Sequence, residues 1–385
     1  MLTKVSLLRT ESSPNLESIY NDLRRSFELL GGIDLFVSKG SRVLLKPNIG
    51  VATRPEDGRN TDPRIIEGMI ILLREVEVGE IIIAESSIVG TDTSEAFRAM
   101  GLDKIAKHYR IRLLDLKKEK LVTKNVPDPM LLPSIRISSI IDEVDMIINL
   151  AKLKTIFAVP VSAGLKNLKG LLPDSEKKRF HHTGLTKAIV DLNKVVRPKL
   201  TIIDGIISSE LYESKETNIL IAGGDVLAVD TVASWVIGVN PSEIEYLRLA
   251  GEAGLGIMDL EKIGVLGESL AETRVGLKLA PDRSDAFTNL FPEVEVIDGQ
   301  ACSGCVASLY LTLKMARANG LLDKIPGLKL VLGSKVETVP PGDRVVCMGN
   351  CTKKLRGKHF LPGCPFTHMD FSDILRNHFL KQTAT

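Results

Sequence analysis

Residues 42–84 read RVLLKPNIGVATRPEDGRNTDPRIIEGMIILLREVEVGEIIIA. Two apolar runs of strand length, Arg42 to Lys46 and Glu80 to Ala84, flank a stretch from Asp62 to Arg74 whose apolar residues recur with helical period. Strand, helix and strand in that order make the unit of a parallel sheet, because parallel neighbours cannot be joined by a tight hairpin and need a crossover. The pattern continues outward. Further strands are expected at Ile111 to Leu114, Met146 to Leu150, Leu200 to Ile203 and Ile219 to Ala222, with a second helix over Asp92 to Lys107 opened by a Thr-Asp-Thr-Ser cap cluster. The fold class is therefore α/β, with largely parallel sheets flanked by helices.

The chain has 385 residues, 44% of them hydrophobic and 25% charged, enough for two or three compact domains and too well mixed for a disordered chain. Five cysteines, all from Cys302 onward, are too few and too unevenly spread for a disulfide-stapled secreted module. Fifty Lys plus Arg against 48 Asp plus Glu leave a net charge of +2, which offers no global field for nucleic acid or an anionic membrane. The N-terminal residues lack the apolar core of a signal segment and the apolar runs are of strand length, so a soluble cytoplasmic protein without membrane insertion is expected. Gln300 and Gln382 are the only glutamines, and Lys and Glu are plentiful, a thermophile-like balance. A large domain is expected over residues 1–280, a polar, Pro-containing break at Ala280 to Asp285, and a small cysteine-rich α/β domain over 286–385. Within the small domain the expected order is strand Val294 to Asp298, helix Val306 to Asn319, strands Lys329 to Leu332 and Arg344 to Cys347, and helix Asp370 to Leu380. The last residues, Lys381 to Thr385, are expected to fray.

The strongest chemical signal is Cys302-Ser-Gly-Cys305, then Cys347-Met-Gly-Asn-Cys351, then Gly363-Cys364-Pro365. In a parallel sheet the carboxyl ends of neighbouring strands share one edge, so loops distant in sequence converge there. Four thiolates then surround one centre. All-thiolate ligation suits zinc or an iron-sulfur cluster. The spread of the second pair of cysteines over a strand end and a long loop, unlike two compact zinc knuckles, favours the cluster. The strings DGQACSGC, VVCMGNC and LPGCPF resemble the cluster motif of nickel-iron hydrogenase small subunits and of the related cluster-bearing subunit of NADH:quinone oxidoreductases. The resemblance implies one 4Fe-4S cluster on Cys302, Cys305, Cys351 and Cys364, with Cys347 a buried strand thiol. Phe366 departs from it, standing where a second Pro is usual.

In the large domain Lys46, Glu85 and Lys152 fall near strand ends, where α/β proteins place ligands. The loop Ser162-Ala-Gly-Leu-Lys166-Asn167-Leu-Lys169-Gly170 brings two lysines three apart beside small residues, suited to a phosphate or carboxylate, and His181-His182 adds acid-base or metal-binding capacity. The plain alternative is a solvated basic helix end. KPN at 46–48, the NTDP element at 60–63, GLKNLKG, the His pair, DLN at 191–193, IIDG at 202–205 and GGDVLAVDTVAS at 223–234 together resemble the family catalogued as domain of unknown function 362, over roughly residues 40–250. Members often carry an iron-sulfur segment. On this basis Lys46, Asn48, Lys166, Asn167, Lys169, His181 and His182 are expected substrate contacts. Asp204, Asp225 and Asp230 are candidates for a cation or polar ligand, or for structural caps. Trp235 is expected in the core, and no GxGxxG or GxxxxGK[ST] string supports a nucleotide site.

The functional expectation is an iron-sulfur redox protein or oxidoreductase coupling the C-terminal cluster to an anionic-substrate site, with a small anion and a redox protein as partners. The alternatives are a non-redox, zinc-stabilised binding protein for an anionic metabolite, and a cofactor-dependent enzyme like the nickel racemases, with Lys166, Lys169, His181 and His182 around the cofactor.

Overall fold

A computed structural model of the chain describes residues 2–280, 287, 289–355 and 357–380. The break expected at Ala280 to Asp285 lies outside the described residues except for Ala280, as do residue 286 and the tail from Lys381. The chain divides into two compact units, one of Met1–Thr155 with Val161–Lys278, the other of Ile156–Pro160 with Leu279–Thr385.

The larger unit is built on β1 (Thr3–Arg9), β2 (Arg42–Pro47), β3 (Glu80–Glu85), β4 (Arg112–Asp115), β5 (Leu121–Asn125), β6 (Ser134–Ser138), β7 (Met146–Ile156), β8 (Val159–Ser162), β9 (Leu200–Glu210), β10 (Glu213–Gly223) and β11 (Ile263–Gly267). Nine of these strands form one sheet in the order β11-β1-β10-β9-β7-β2-β3-β4, with β8 on β7, and β5-β6 make a separate pair. From β9 through β7, β2 and β3 to β4 every pairing is parallel, while β10 is antiparallel to both β9 and β1. The fold is thus mixed α/β on a mostly parallel sheet.

The helix Pro63–Glu75 crosses from β2 to β3, capped by Asp62 and started by a proline whose missing N–H costs nothing at that position. Its buried Ile65, Ile66, Met69, Ile70, Leu72 and Leu73 pack in one core with Val43, Leu45, Ile81 and Ile83 of the strands it joins. The helix expected across 92–107 is two helices, Thr93–Ala99 and Leu102–Tyr109, because Gly101 takes a left-handed φ of 70° and breaks the hydrogen-bond ladder. Strands β7, β9 and β10 run well beyond their expected ends. Trp235, expected in the core, is half-buried with the Arg274 guanidinium 4.8 Å over its ring.

The smaller unit holds β12 (Val294–Asp298), β13 (Leu328–Leu332), β14 (Val345–Met348) and β15 (His359–Leu361), paired in that order and all parallel. The helix Ser303–Ala318 follows β12 and buries Leu309, Leu313 and Ala316 against Leu328, Leu330, Val346 and Leu361. Among the described residues no helix is long and apolar enough to cross a membrane.

Candidate functional site

Two sites emerge, one in each unit. The first lies along the carboxyl ends of β2, β3 and β7. Lys46, expected among the substrate contacts, has no exposed surface; its ammonium donates to Glu85 Oε2 at 2.7 Å and to the Pro47 carbonyl at 2.6 Å. Glu85 also accepts the Ile49 and Ser86 amides. Burial pushes the Lys46 ammonium down and the Glu85 carboxyl up from their usual ranges, and their contact opposes both shifts. Lys46 is therefore a support beneath the site and not a ligand contact. Lys177 closes this layer by donating to the Ser86 carbonyl, the Ser86 hydroxyl and the Ser87 carbonyl, and burial brings it down to about 7.

The lysine loop rests on this layer. Gly164–Asn167 forms one helical turn and Leu168–Leu171 a 3-10 turn. The Asp230 carboxylate accepts the Gly164 and Leu165 amides at 2.6 and 2.9 Å, while Asn149 and Asn193 donate to the Gly164 and Leu165 carbonyls. Burial pushes the Asp230 carboxyl up to about 7 although those amides hold it down. Both flanking glycines are demanded by contact. A Cβ on Gly164 would meet Asp230 Oδ1 and Thr201 Cγ2 at 2.8 Å, and one on Gly170 would run into the Glu85 carboxylate and the Lys46 ammonium.

Asn167 is buried and donates to Asn149 Oδ1 at 2.8 Å and to the Lys46 carbonyl. It accepts from Asn48 Nδ2 at 2.9 Å, and Asn48 Oδ1 in turn accepts from the Lys154 ammonium at 2.5 Å. Lys154, which sequence reading passed over, thus joins Asn48 and Asn167 at the site. Lys169 Nζ stands 3.0 Å from His181 Nε2, and Lys166 Nζ 3.3 Å from the Ser162 hydroxyl. Among the described residues no carboxylate forms an ion pair with Lys154, Lys166 or Lys169. As whole residues these three keep some exposed surface, yet their ammonium ends are enclosed by protein. Burial brings Lys166 down to about 8. Burial, then the charge of Lys166, holds Lys154 and Lys169 well below the usual lysine range. His181 is likewise held down by burial, then by Lys169 and Lys166, whereas His182 lies on the exposed side of its helix. This is not a solvated helix end.

The candidate aspartates do not gather. Asp204 is spent on Lys152 at 2.8 Å and the Asp62 amide, Asp225 caps the helix Val226–Val236, and Asp230 holds the lysine loop. The NTDP element is a pin: Thr61 bridges the Asn48 amide to the Leu150 carbonyl, and Asn60 closes the loop at Gly50 and Val51. A cleft of about 410 Å³ lined by Lys124, Asp142, Asp145, Lys194, Arg197 and Lys199, among others, opens elsewhere, at the amino ends of β7 and β9. That is the end of a parallel sheet opposite to ligand binding, and Lys124 there already pairs with Asp142.

The second site is in the smaller unit. Cys302 caps the helix Ser303–Ala318, Cys305 is buried in its first turn, Cys351 follows β14, and Cys364 lies beyond β15. Gly349, with φ of 83°, turns the chain between them: a Cβ there would stand 3.6 Å from Cys305 Sγ and 3.7 Å from Cys351 Sγ. The reciprocal bonds Asn350 N–H to the Gly363 carbonyl and Gly363 N–H to Asn350 Oδ1 tie the Cys351 and Cys364 loops together. The Cys305 thiol is pushed far up, first by its hydrogen bond with Cys302, then by burial, then by the charges of Cys302, Cys351 and Cys364. Three thiols near enough to oppose the ionisation of Cys305 make, together with it, a donor set that a positively charged centre would relieve. Among the described residues no three His, Cys, Asp or Glu side chains gather as a site for a single ion. A cluster that gives each thiolate its own iron asks for a wider set. Cys347 has no exposed surface, its thiol is pushed up by burial, and it packs with Val331, Val336 and Val345.

A family model described as Domain of unknown function (DUF362) matches residues 43–235, which holds the whole of the first site. A thylakoid-associated protein of Synechocystis sp. is 29% identical over 266 residues, 66% of this chain and 81% of its own length. Among solved structures, a Thermotoga maritima protein aligns with a TM-score of 0.37 and 12% identity over 64% of this chain and 60% of its own. The lactate racemase apoprotein from Thermoanaerobacterium thermosaccharolyticum aligns with a TM-score of 0.39 and 12% identity over 98% of this chain and 81% of its own.

Proposed function

The chain belongs to the DUF362 family, and we propose that this member is an iron-sulfur redox protein whose larger unit binds a small anion. The observation that carries the redox half is that Cys305 and Cys351 approach each other across Gly349 while Cys302, Cys351 and Cys364 all act on the Cys305 thiol. When bound by four thiolates, a 4Fe-4S cluster supplies one-electron transfer, since no iron is left open to a substrate. The chain's own part is to set the cluster's surroundings. Cys302 and Cys305 sit at the N-terminus of a 16-residue helix, where the dipole favours thiolate over thiol. Gly349 leaves the space between two sulfurs clear, and the buried Met348 and Leu361 beneath keep water from that side. Four neighbouring thiols stay reduced in a reducing compartment, so we place the protein in the cytoplasm, with another redox protein as its electron partner.

The anion half rests on Lys166, Asn167 and Lys169 with Asn48 and His181, where enclosed cations face no carboxylate. These residues bind and orient; His181 beside Lys169 is the group placed to hold or pass a proton.

Purification without oxygen, followed by iron, sulfide and visible spectroscopy, tests the redox half. The expected result is iron and sulfide in equal amounts, with a broad absorption that bleaches on reduction. Stoichiometric zinc without iron overturns it in favour of a zinc-stabilised binding protein.

A further inference from the structure

Lys154 of β7 and Lys169 of the 3-10 turn each feel the charge of Lys166, on the Gly164–Asn167 turn between them, so three elements bring their lysines within reach of one another's field. Each ammonium has an uncharged hydrogen-bonding neighbour: Asn48, Ser162 and the His181 ring. Further positive or ionisable groups surround them, Arg59 and Lys152 acting on Lys154, Lys177 on Lys169, and His182 on His181, and the one carboxylate that opposes them at Lys154 is Glu85, the weakest of these influences there. The nearby carboxylates are engaged already, Glu85 by Lys46, Asp204 by Lys152 and Asp174 by Lys117. Enclosing like charges with no carboxylate bound to them is costly, and nothing in the packing rewards it. A bound polyanion does.

On the reading that this edge binds an anion, we propose that its ligand carries a doubly charged oxyanion, as a phosphate ester or a dicarboxylate does. We propose further that binding draws protons from solvent and that Lys154 is the central cation. A single carboxylate leaves most of the repulsion in place; two negative charges cancel it and let the ammonium groups refill with protons. Lys166 stands down at about 8 when the site is empty, and Lys154, Lys169 and His181 are held down too. A dianion raises all four, so binding takes up protons and weakens as pH rises.

Titration calorimetry of the anaerobically purified full chain at pH 7.5 tests this, in two buffers of unlike ionisation enthalpy, with inorganic sulfate, succinate and acetate as probes. Sulfate stands for a tetrahedral ester and succinate for a dicarboxylate, and neither titrates near that pH. One dianion is expected to bind with net proton uptake, acetate roughly tenfold or more weaker, and Lys154→Met to lose roughly tenfold or more in affinity. The stronger dianion identifies the ligand class. Dianion binding without proton uptake overturns this inference and leaves the anion site standing; no binding of any probe overturns both. Unliganded Lys154→Met is expected to melt higher than the parent, since the cost of burying or discharging an ammonium there is gone. A lower melting point makes Lys154 a mere brace for Asn48 and overturns its role. Should Lys154→Met not fold, Lys166→Met carries the same test, with the same loss of affinity expected.

Discussion

Gly170 shows how tightly single positions are held, because the place of its absent side chain is taken by the Lys46–Glu85 pair. Gly170→Ala must part a buried ion pair or displace the lysine loop. A loss of about 3 kcal/mol or more is expected, from the cost of leaving a buried charge uncompensated, read as a lowered denaturant midpoint. The cysteines divide in the same residue-by-residue way. Cys351→Ala and Cys364→Ala are expected to abolish iron and sulfide binding, while Cys347→Ala keeps both at a stability cost of about 1 to 2 kcal/mol for a small buried side chain; metal analysis with thermal melting distinguishes them. The thiols and the GLKNLKG string were legible from residue type and spacing. Lys154 was not, because a lysine two residues after another in an alternating stretch reads as a solvent-facing edge. Only the fold reveals that Asn48, 106 positions away, meets it. Lys46 misled in the opposite sense: a cation at a strand end looks available, and its neutraliser Glu85 sits on the next strand.

At the scale of elements, the lysine loop depends on three buried polar groups from elsewhere, Asp230, Asn149 and Asn193. Asp230 and the lysines give stability opposite pH dependences. Asp230, raised to about 7, holds a proton in the folded state where the unfolded chain has lost it, so its contribution falls as pH rises from the ordinary carboxyl range to 7. Lys166 at about 8 and Lys177 at about 7 lose protons before the unfolded chain does, so theirs rises from there toward the ordinary lysine range. Urea midpoints of the protein are expected to pass through a shallow minimum near neutral pH, with Lys166→Met flattening the alkaline arm and Asp230→Asn the acid arm. A monotonic profile in the parent refutes this. The strands of the parallel block were legible as apolar runs, but their length was not, since Lys152, Lys154 and Ser209 read as loop until buried partners are supplied. The helix Leu16–Leu30 was legible and went unread: Ile19, Leu23, Phe27 and Leu30 recur on one buried face while Glu17, Arg24, Arg25 and Glu28 lie on the exposed one.

Over the whole molecule, two units with separate cores invite separate responses to loss of the proposed cluster. On the proposed function the smaller unit spends four side chains on one centre, so occupancy would add to its stability by mass action. Iron chelation under reducing conditions is expected to lower one of two melting transitions and leave the other in place; a common shift of both refutes their independence. The α/β class was legible from alternation of strand-length and helix-length patterns. The antiparallel β10 and the added β11 were not, because period alone carries no direction. The approach of Cys305 and Cys351 across one glycine has a further practical consequence. Sulfurs held that close attack one another's oxidised forms, so a chain exposed to air before it is loaded becomes a trap for wrong bridges. For the proposed cluster, the order of events during its making, metal before oxygen, decides how much of the protein is filled without prior reduction.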